Sequence, residues 1–285
     1  VNSLIPVQQN RSEARGQWLF LDLPQLPRYL AKDMAATRIL PSPGPVRNRA
    51  RTTVRRTAGL PEAGVLPELA AYHDALIRAY GPQHWWPGRT RFEVIVGAIL
   101  TQNTSWSNVE RAIAELRRAR LLSPAGIAGV RLARLSCLIR SSGFFRQKAK
   151  KLKEFVHFLR TEYQGSLDKM FATPAAELRD QLLNVYGIGP ETADSILLYA
   201  GGFAVFVVDA YTRRILERHN LAHGKHRYEE IRSLFEASLP RSAALFNEYH
   251  ALIVHTGKHF CRKRNPCCDR CALRPFLPAP PEFKP

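Results

Sequence analysis

Leu183, Asn184, Val185, Tyr186, Gly187, Ile188, Gly189, Pro190, Glu191, Thr192 and Ala193 follow one another, and after an apolar stretch come Val207, Val208 and Asp209. Two glycines, one residue apart, stand where an apolar helix over 178–185 meets a second helix that starts near Pro190. Glycine accepts the positive φ of a tight turn and lets another backbone come close. The following helix offers unpaired N–H donors and the positive end of its dipole, and Pro190 suits its first turn because a missing N–H costs nothing there. The spacing therefore predicts a turn with open amides that can hold a phosphate. A bare Gly-Ile-Gly is an ordinary loop; the helix before it and the Val-Asp after it set this one apart.

Outward from this block the apolar period is helical. Leu69, Tyr72, Leu76 and Ala79 keep three-to-four spacing, as do Phe92, Ile95, Val96, Ile99 and Leu100, and later Leu152, Phe155, Val156 and Leu159. Strand alternation is nearly absent. Joints near Gly81, Ser123, Gly143, Gly165, Gly187, Gly202 and Asn220 predict about ten helices. The 285 residues are enough for one large domain or two lobes around a cleft. Residues 1–65 read differently: Arg47, Arg49, Arg51, Arg55 and Arg56 crowd a Pro-rich segment without helical or strand period. The expected organisation is a disordered basic extension over 1–65 and a folded domain over 66–285. The extension either adds non-specific DNA affinity or reflects an upstream start codon.

Forty-two Lys plus Arg against twenty-four Asp plus Glu give a net charge of +18 and a pI near 10.2. Such a surface favours polyanions through counterion release and steering, although charge alone also fits a generic basic protein. The apolar run from Ser195 to Val208 is short and broken by Gly201 and Gly202, so no membrane span is expected. No secretory pattern opens the chain, and a cytoplasmic protein is the simplest expectation.

The Leu183 to Ala193 block with Val208 and Asp209 resembles the helix-hairpin-helix motif and catalytic aspartate of the endonuclease III superfamily of DNA glycosylases. A second block holds Trp85, Trp86, Pro87, Phe92, Glu93, then Gly97 to Thr104 and Trp106; with Ser142 to Lys150 it is similar to the 3-methyladenine DNA glycosylase III branch. Together the blocks cover roughly residues 70–275. The resemblance implies an all-α, two-lobed fold with a DNA-binding cleft. A helical barrel would include the hairpin, and the N-terminal helices and C-terminal segment would form the other lobe. It further implies a monomer, located with the nucleoid, acting on double-stranded DNA that carries a damaged base.

Base excision needs a wedge to fill the gap left in the stack and a pocket with π faces to receive the base. By the resemblance Gln102 is the wedge, and Trp85, Trp86, Pro87 and Trp106 line the pocket, where cation–π attraction would favour a cationic alkylated purine. The tryptophans have an alternative reading as ordinary core residues. Asp209 is the expected catalytic residue, stabilising oxocarbenium character at the sugar and orienting water; it equally suits an N-cap for the helix after it. Where bifunctional relatives carry a lysine nucleophile, this chain has Glu191, which cannot form a Schiff base. Strand cleavage should be weak or absent. Lys258 either approaches the pocket or is a phosphate-contacting or solvated lysine. Gly187, Ile188, Gly189, Thr192, Arg146, Lys148 and Arg213 are the expected DNA-binding residues, with Lys150, Lys151 and Arg214 as further phosphate candidates.

Cys261, Cys268 and Cys271 keep the Cys-x6-Cys-x2-Cys spacing of the superfamily's iron-sulfur loop, here 261–277, but the expected fourth position is Leu277. Four thiolates normally hold such a 4Fe-4S cluster. Three readings stay open: Cys267 as substitute fourth ligand, zinc on the close-spaced sulfurs, or relics of a lost site. Cys137 is expected to be a buried thiol.

The leading expectation is a monofunctional glycosylase for damaged, above all alkylated, purines. The alternatives are excision of uracil or thymine from mismatches or of oxidised pyrimidines, or a non-catalytic lesion-binding protein.

Overall fold

A computed structural model describes residues 65–222 and 224–278; the expected extension over 1–65 lies almost wholly outside them. Twelve α-helices and no strand occur among the described residues. They are α1 (Pro67–Tyr80), α2 (Arg91–Leu100), α3 (Trp106–Arg118), α4 (Pro124–Gly129), α5 (Leu132–Leu138), α6 (Phe145–Tyr163), α7 (Leu167–Phe171), α8 (Ala175–Leu183), α9 (Pro190–Ser195), α10 (Ala210–Arg218), α11 (Tyr228–Ser238) and α12 (Ala243–His259). A π-helical turn, Ile196–Gly201, extends α9.

Local chemistry starts these helices. Thr90, Ser123, Ser166, Asp209 and Ser242 each accept a backbone N–H of the first turn of the helix that follows them, which satisfies donors a helix otherwise leaves open. Pro67, Pro124 and Pro190 begin α1, α4 and α9.

The helices fall into two groups. Helices α2 to α9 pack on one another around α2, whose residues from Phe92 to Leu100 are all buried. A helix apolar on every side belongs at the centre of such a group; its Glu93 is tolerated there because Arg117 Nη2 lies 2.6 Å from it. Helix α1 packs with α11 and α12, and α10 with α12, to form the second group. The buried run Val205 to Val208 crosses between them. Two of its amides are satisfied by side chains of α11, Phe206 donating to Glu236 at 3.0 Å and Val208 to the Tyr228 hydroxyl at 3.3 Å, as buried backbone requires. Asp209 thus stands where the groups meet. No helix among the described residues is long and apolar enough to cross a membrane.

Candidate active site and DNA-binding face

Asp209 is the N-cap of α10. Its Oδ1 accepts the Thr212 amide at 2.8 Å and the Thr212 hydroxyl at 3.0 Å. Oδ2 is left to face α12, where His250 Nε2 lies 3.7 Å away. The other imidazole nitrogen is hydrogen-bonded to the Tyr199 hydroxyl, and Tyr199 belongs to the π-helical turn after the hairpin. Such turns often mark functional sites.

From Tyr199 the aromatic contacts run on to the predicted pocket. Its ring lies 5.0 Å from Trp86, and Trp86 lies 5.2 Å from Trp85 and 5.1 Å from Trp106. Trp85 and Trp106 are 5.5 Å apart. Gly97 on α2 makes the room: a Cβ there would come within 3.1 Å of the Trp86 ring and 3.4 Å of Trp106. Trp86 is buried, Trp85 and Trp106 are half-buried, and Pro87 is exposed at the edge. Trp86 therefore joins the core, with Trp85 and Trp106 packed against it at the edge.

Glu191, on the first turn of α9, is electrostatically coupled to Asp209. Loss of hydration and the Asp209 charge raise its pKa to about 7, against the pull of Arg213. Its outer face remains open to solvent, so the neighbouring charge and partial desolvation act on a group that water still reaches. Lys258 is exposed at the far end of α12, next to His255.

The hairpin has the expected turn at Gly187, with φ of 81°. A side chain there would collide with the stem of Lys151, which packs over it. Among the described residues the amides of Gly187 and Gly189 donate to no carbonyl, whereas that of Ile188 is used inside the turn, donating to Val185 at 3.0 Å. Ile188 thus anchors the hairpin through its buried side chain and is not an open donor. The amide of Gln102 bonds to the carbonyl of Gly187 at 3.2 Å and the hydroxyl of Thr192 at 2.9 Å, and Lys151 Nζ donates to its oxygen. The predicted wedge and the hairpin are one connected unit.

Several expectations need correction. Lys148 does not reach for phosphate: it is 2% exposed, its ammonium donating to the carbonyls of Leu100 and Ser142 at 2.9 and 2.6 Å. Burial and the charge of Lys151 lower its pKa to about 8. Arg213 donates to the His226 carbonyl at 2.8 Å, and Arg214 to the carbonyls of Cys261 and Gly257 at 2.7 and 2.9 Å, so both do structural work. Arg146 and Lys150 remain exposed. Cys137 is exposed, because the short α5 turns Leu135 and Ser136 inward instead. Phe144, unassigned from the sequence, is 63% exposed in a left-handed conformation (φ 44°) just before α6. Two phenylalanines in a row after a glycine were the available signal, since a helix start cannot bury both.

Cys261, Cys268 and Cys271 line one cavity beside α10, and Leu277 lines it too. Cys267 is turned out, its sulfur accepting from Arg262 at 2.8 Å. The Arg218 guanidinium lies 2.9 Å from the Cys261 sulfur. Burial, reinforced by the neighbouring Cys261 and Cys268, pushes the Cys271 thiol up. Among the described residues no three His, Cys, Asp or Glu side chains are grouped closely enough to hold a metal ion. With Leu277 at the fourth position and Cys267 bonded to Arg262 away from the other three, the cavity is lined by three of the four thiolates that a 4Fe-4S cluster normally takes.

Comparison with known proteins bears on the family and the fold. Residues 96–241 match the model of the HhH-GPD superfamily base excision DNA repair proteins. A Methanocaldococcus jannaschii protein named as a candidate DNA repair glycosylase is 48% identical over 206 residues, 72% of this chain and 93% of that one. Endonuclease III of Sulfolobus acidocaldarius is 29% identical over 66% of this chain and 83% of its own. Among solved structures, the H. pylori 3-methyladenine DNA glycosylase bound to 1,N6-ethenoadenine superposes with a TM-score of 0.58 at 30% identity, covering 67% of this chain and 95% of that one. An endonuclease III–DNA complex shares the fold, with a TM-score of 0.63 at 20% identity over 75% of this chain and 96% of that one. The chain belongs to the HhH-GPD superfamily and is an endonuclease III-like DNA glycosylase of base excision repair.

Proposed function

We propose that this glycosylase is monofunctional and excises damaged purines, alkylated ones foremost. The observation that carries the reading is the aromatic cluster of Trp85, Trp86 and Trp106, connected through Tyr199 and His250 to the carboxylate of Asp209. An extruded purine stacked on that cluster brings its sugar toward Asp209. A purine made cationic by alkylation gains cation–π attraction there and needs little protonation to leave. The H. pylori relative, solved with an adenine adduct, supports the same class.

In this mechanism Oδ1 of Asp209 stays on the cap of α10, and Oδ2 faces the anomeric carbon. It stabilises the positive charge that develops as the C1′–N bond breaks and takes a proton from the attacking water. Glu191, with its pKa near 7, carries a proton in much of the protein at neutral pH and can give it to a neutral leaving base. A carboxyl group cannot form an imine, so the backbone is not cut through Glu191.

The open amides of Gly187 and Gly189 take a phosphate, and Arg146 and Lys150 add contacts that position without reading sequence. Gln102 enters the gap left by the flipped base, and exposed Phe144 wedges the stack beside it. The catalytic unit is the folded part from residue 66 onward, and its partner is duplex DNA. None of these steps is routed through the cysteine loop.

Duplexes carrying single alkylated, deaminated or oxidised bases, treated with alkali after incubation, test the reading. Release is expected from alkylated purines, with no strand break before alkali and none with Asp209→Asn. An Asp209→Asn protein as active as the wild type would overturn it, and release of no base would favour a lesion-binding protein.

A further inference from the structure

His250 sits inside α12 with its imidazole buried. Its Nε2 is shut off from solvent and has no hydrogen-bond partner at ordinary distance. The acceptor nearest in line is Oδ2 of Asp209, 3.7 Å away. A buried N–H lacking an acceptor is costly, and a small rotation of the carboxylate about its capped oxygen would supply one.

The proton's place follows from the other side of the ring. The buried Tyr199 hydroxyl is bonded to Nδ1. If Nδ1 carried the proton, Nε2 would turn a lone pair toward the lone pairs of Asp209. With Tyr199 donating to Nδ1, the proton is on Nε2 and points at the carboxylate. Burial also holds the imidazole below its ordinary range, although Asp209 pulls it back up. Tyr199 stays a neutral donor, its hydroxyl pushed far up by burial and by the charges of Asp209 and Glu191. The charged or titratable groups facing this pair are Asp209 and Tyr199 directly, with Glu191, Arg213 and Tyr211 around Asp209.

We propose that His250 is a positioning residue for base excision: oriented by Tyr199, it donates from Nε2 to Oδ2 of Asp209 and so aims that oxygen's remaining lone pair at the sugar and the attacking water. The proposal rests on Asp209 being the catalytic carboxylate. It adds a three-residue relay running Tyr199, His250, Asp209, in which a buried tyrosine packed on Trp86 sets the angle of the carboxylate.

The test is single-turnover release of methylpurines from DNA treated with dimethyl sulfate, alongside binding to a duplex with a tetrahydrofuran abasic site. His250→Leu is expected to slow release by about 10- to 100-fold, the scale of a lost hydrogen bond to a charged group. Abasic-site binding should change less than about twofold, because the phosphate contacts are untouched. His250→Gln, which can place an amide N–H near the position of Nε2, should recover most of the rate, and Tyr199→Phe should slow release in the same way but less. A folded His250→Leu with wild-type rate overturns the proposal, as does a folded His250→Gln no faster than His250→Leu. If His250→Leu does not fold, Tyr199→Phe with wild-type rate overturns it instead. Full activity in Asp209→Asn would mark failure of the underlying reading.

Discussion

The ammonium of Lys148 lies 2.9 Å from the carbonyl oxygen of Leu100, two residues before Gln102, and 2.6 Å from that of Ser142, two residues before Phe144. One buried cation thereby ties together the loops that carry both proposed wedges. Lys148→Met should leave two carbonyls without their donor and cost about 1–3 kcal/mol of stability. Its DNA-binding salt slope should match the wild type, whereas Arg146→Ala should lower that slope by about one. Denaturation and binding titrations at several salt concentrations check both; a reduced slope in Lys148→Met would restore a phosphate contact.

Glu191 predicts a pH-dependent stability. Its carboxyl is raised from 4.5 to about 7 in the folded chain, so between those values the folded state binds more protons than the unfolded one. Stability from this group is complete below the lower value and is lost as pH rises toward the upper one. Glu191→Gln should remove that fall and be the more stable protein at pH 8. Urea unfolding across the window measures it, and identical pH profiles for the two proteins would contradict it.

Arg179 holds Asp194 by two bonds, at 2.6 and 3.2 Å, and Asp194 is 0% exposed. Burial pushes the Asp194 carboxyl up while Arg179 pulls it back. Arg179→Met leaves that buried carboxyl only its Tyr228 hydroxyl bond and should destabilise the protein by about 3 kcal/mol, read by denaturant unfolding. Arg232, 3.8 Å from the same carboxylate, is too far to replace the lost bonds. A change under about 1 kcal/mol would show the pair to be dispensable.

The cysteine loop predicts an iron content. With Leu277 in the cavity lined by Cys261, Cys268 and Cys271, protein purified anaerobically should hold well under about four irons per chain. Leu277→Cys should raise the iron retained and bring visible absorbance. Elemental analysis of the wild type giving about four irons would refute this.

The hairpin and Asp209 were legible because their chemistry is local: glycines at a turn, proline at a helix start and an aspartate before a helix announce themselves within a few residues. The all-helical class followed from period alone. Helices α4, α5 and α7, of six, seven and five residues, are too short to display a period, which explains twelve helices where about ten were expected. Lys148 misled because lysine usually faces water. Yet it stands on the same stripe of α6 as Leu152, Phe155 and Leu159, and that stripe was the overlooked warning. His250 left no such trace. Its partners Tyr199 and Asp209 lie 51 and 41 residues away in the chain, and only the meeting of the two helix groups gives it a role.

The aromatic cluster has a spectroscopic corollary. Of the four tryptophans in the chain, three are Trp85, Trp86 and Trp106, within ring-to-ring range of one another. Intrinsic fluorescence is therefore concentrated at the place where a flipped base would dock, and Trp18 contributes the remaining emission. A stacked purine should quench that signal, giving a label-free view of nucleotide entry and departure in real time.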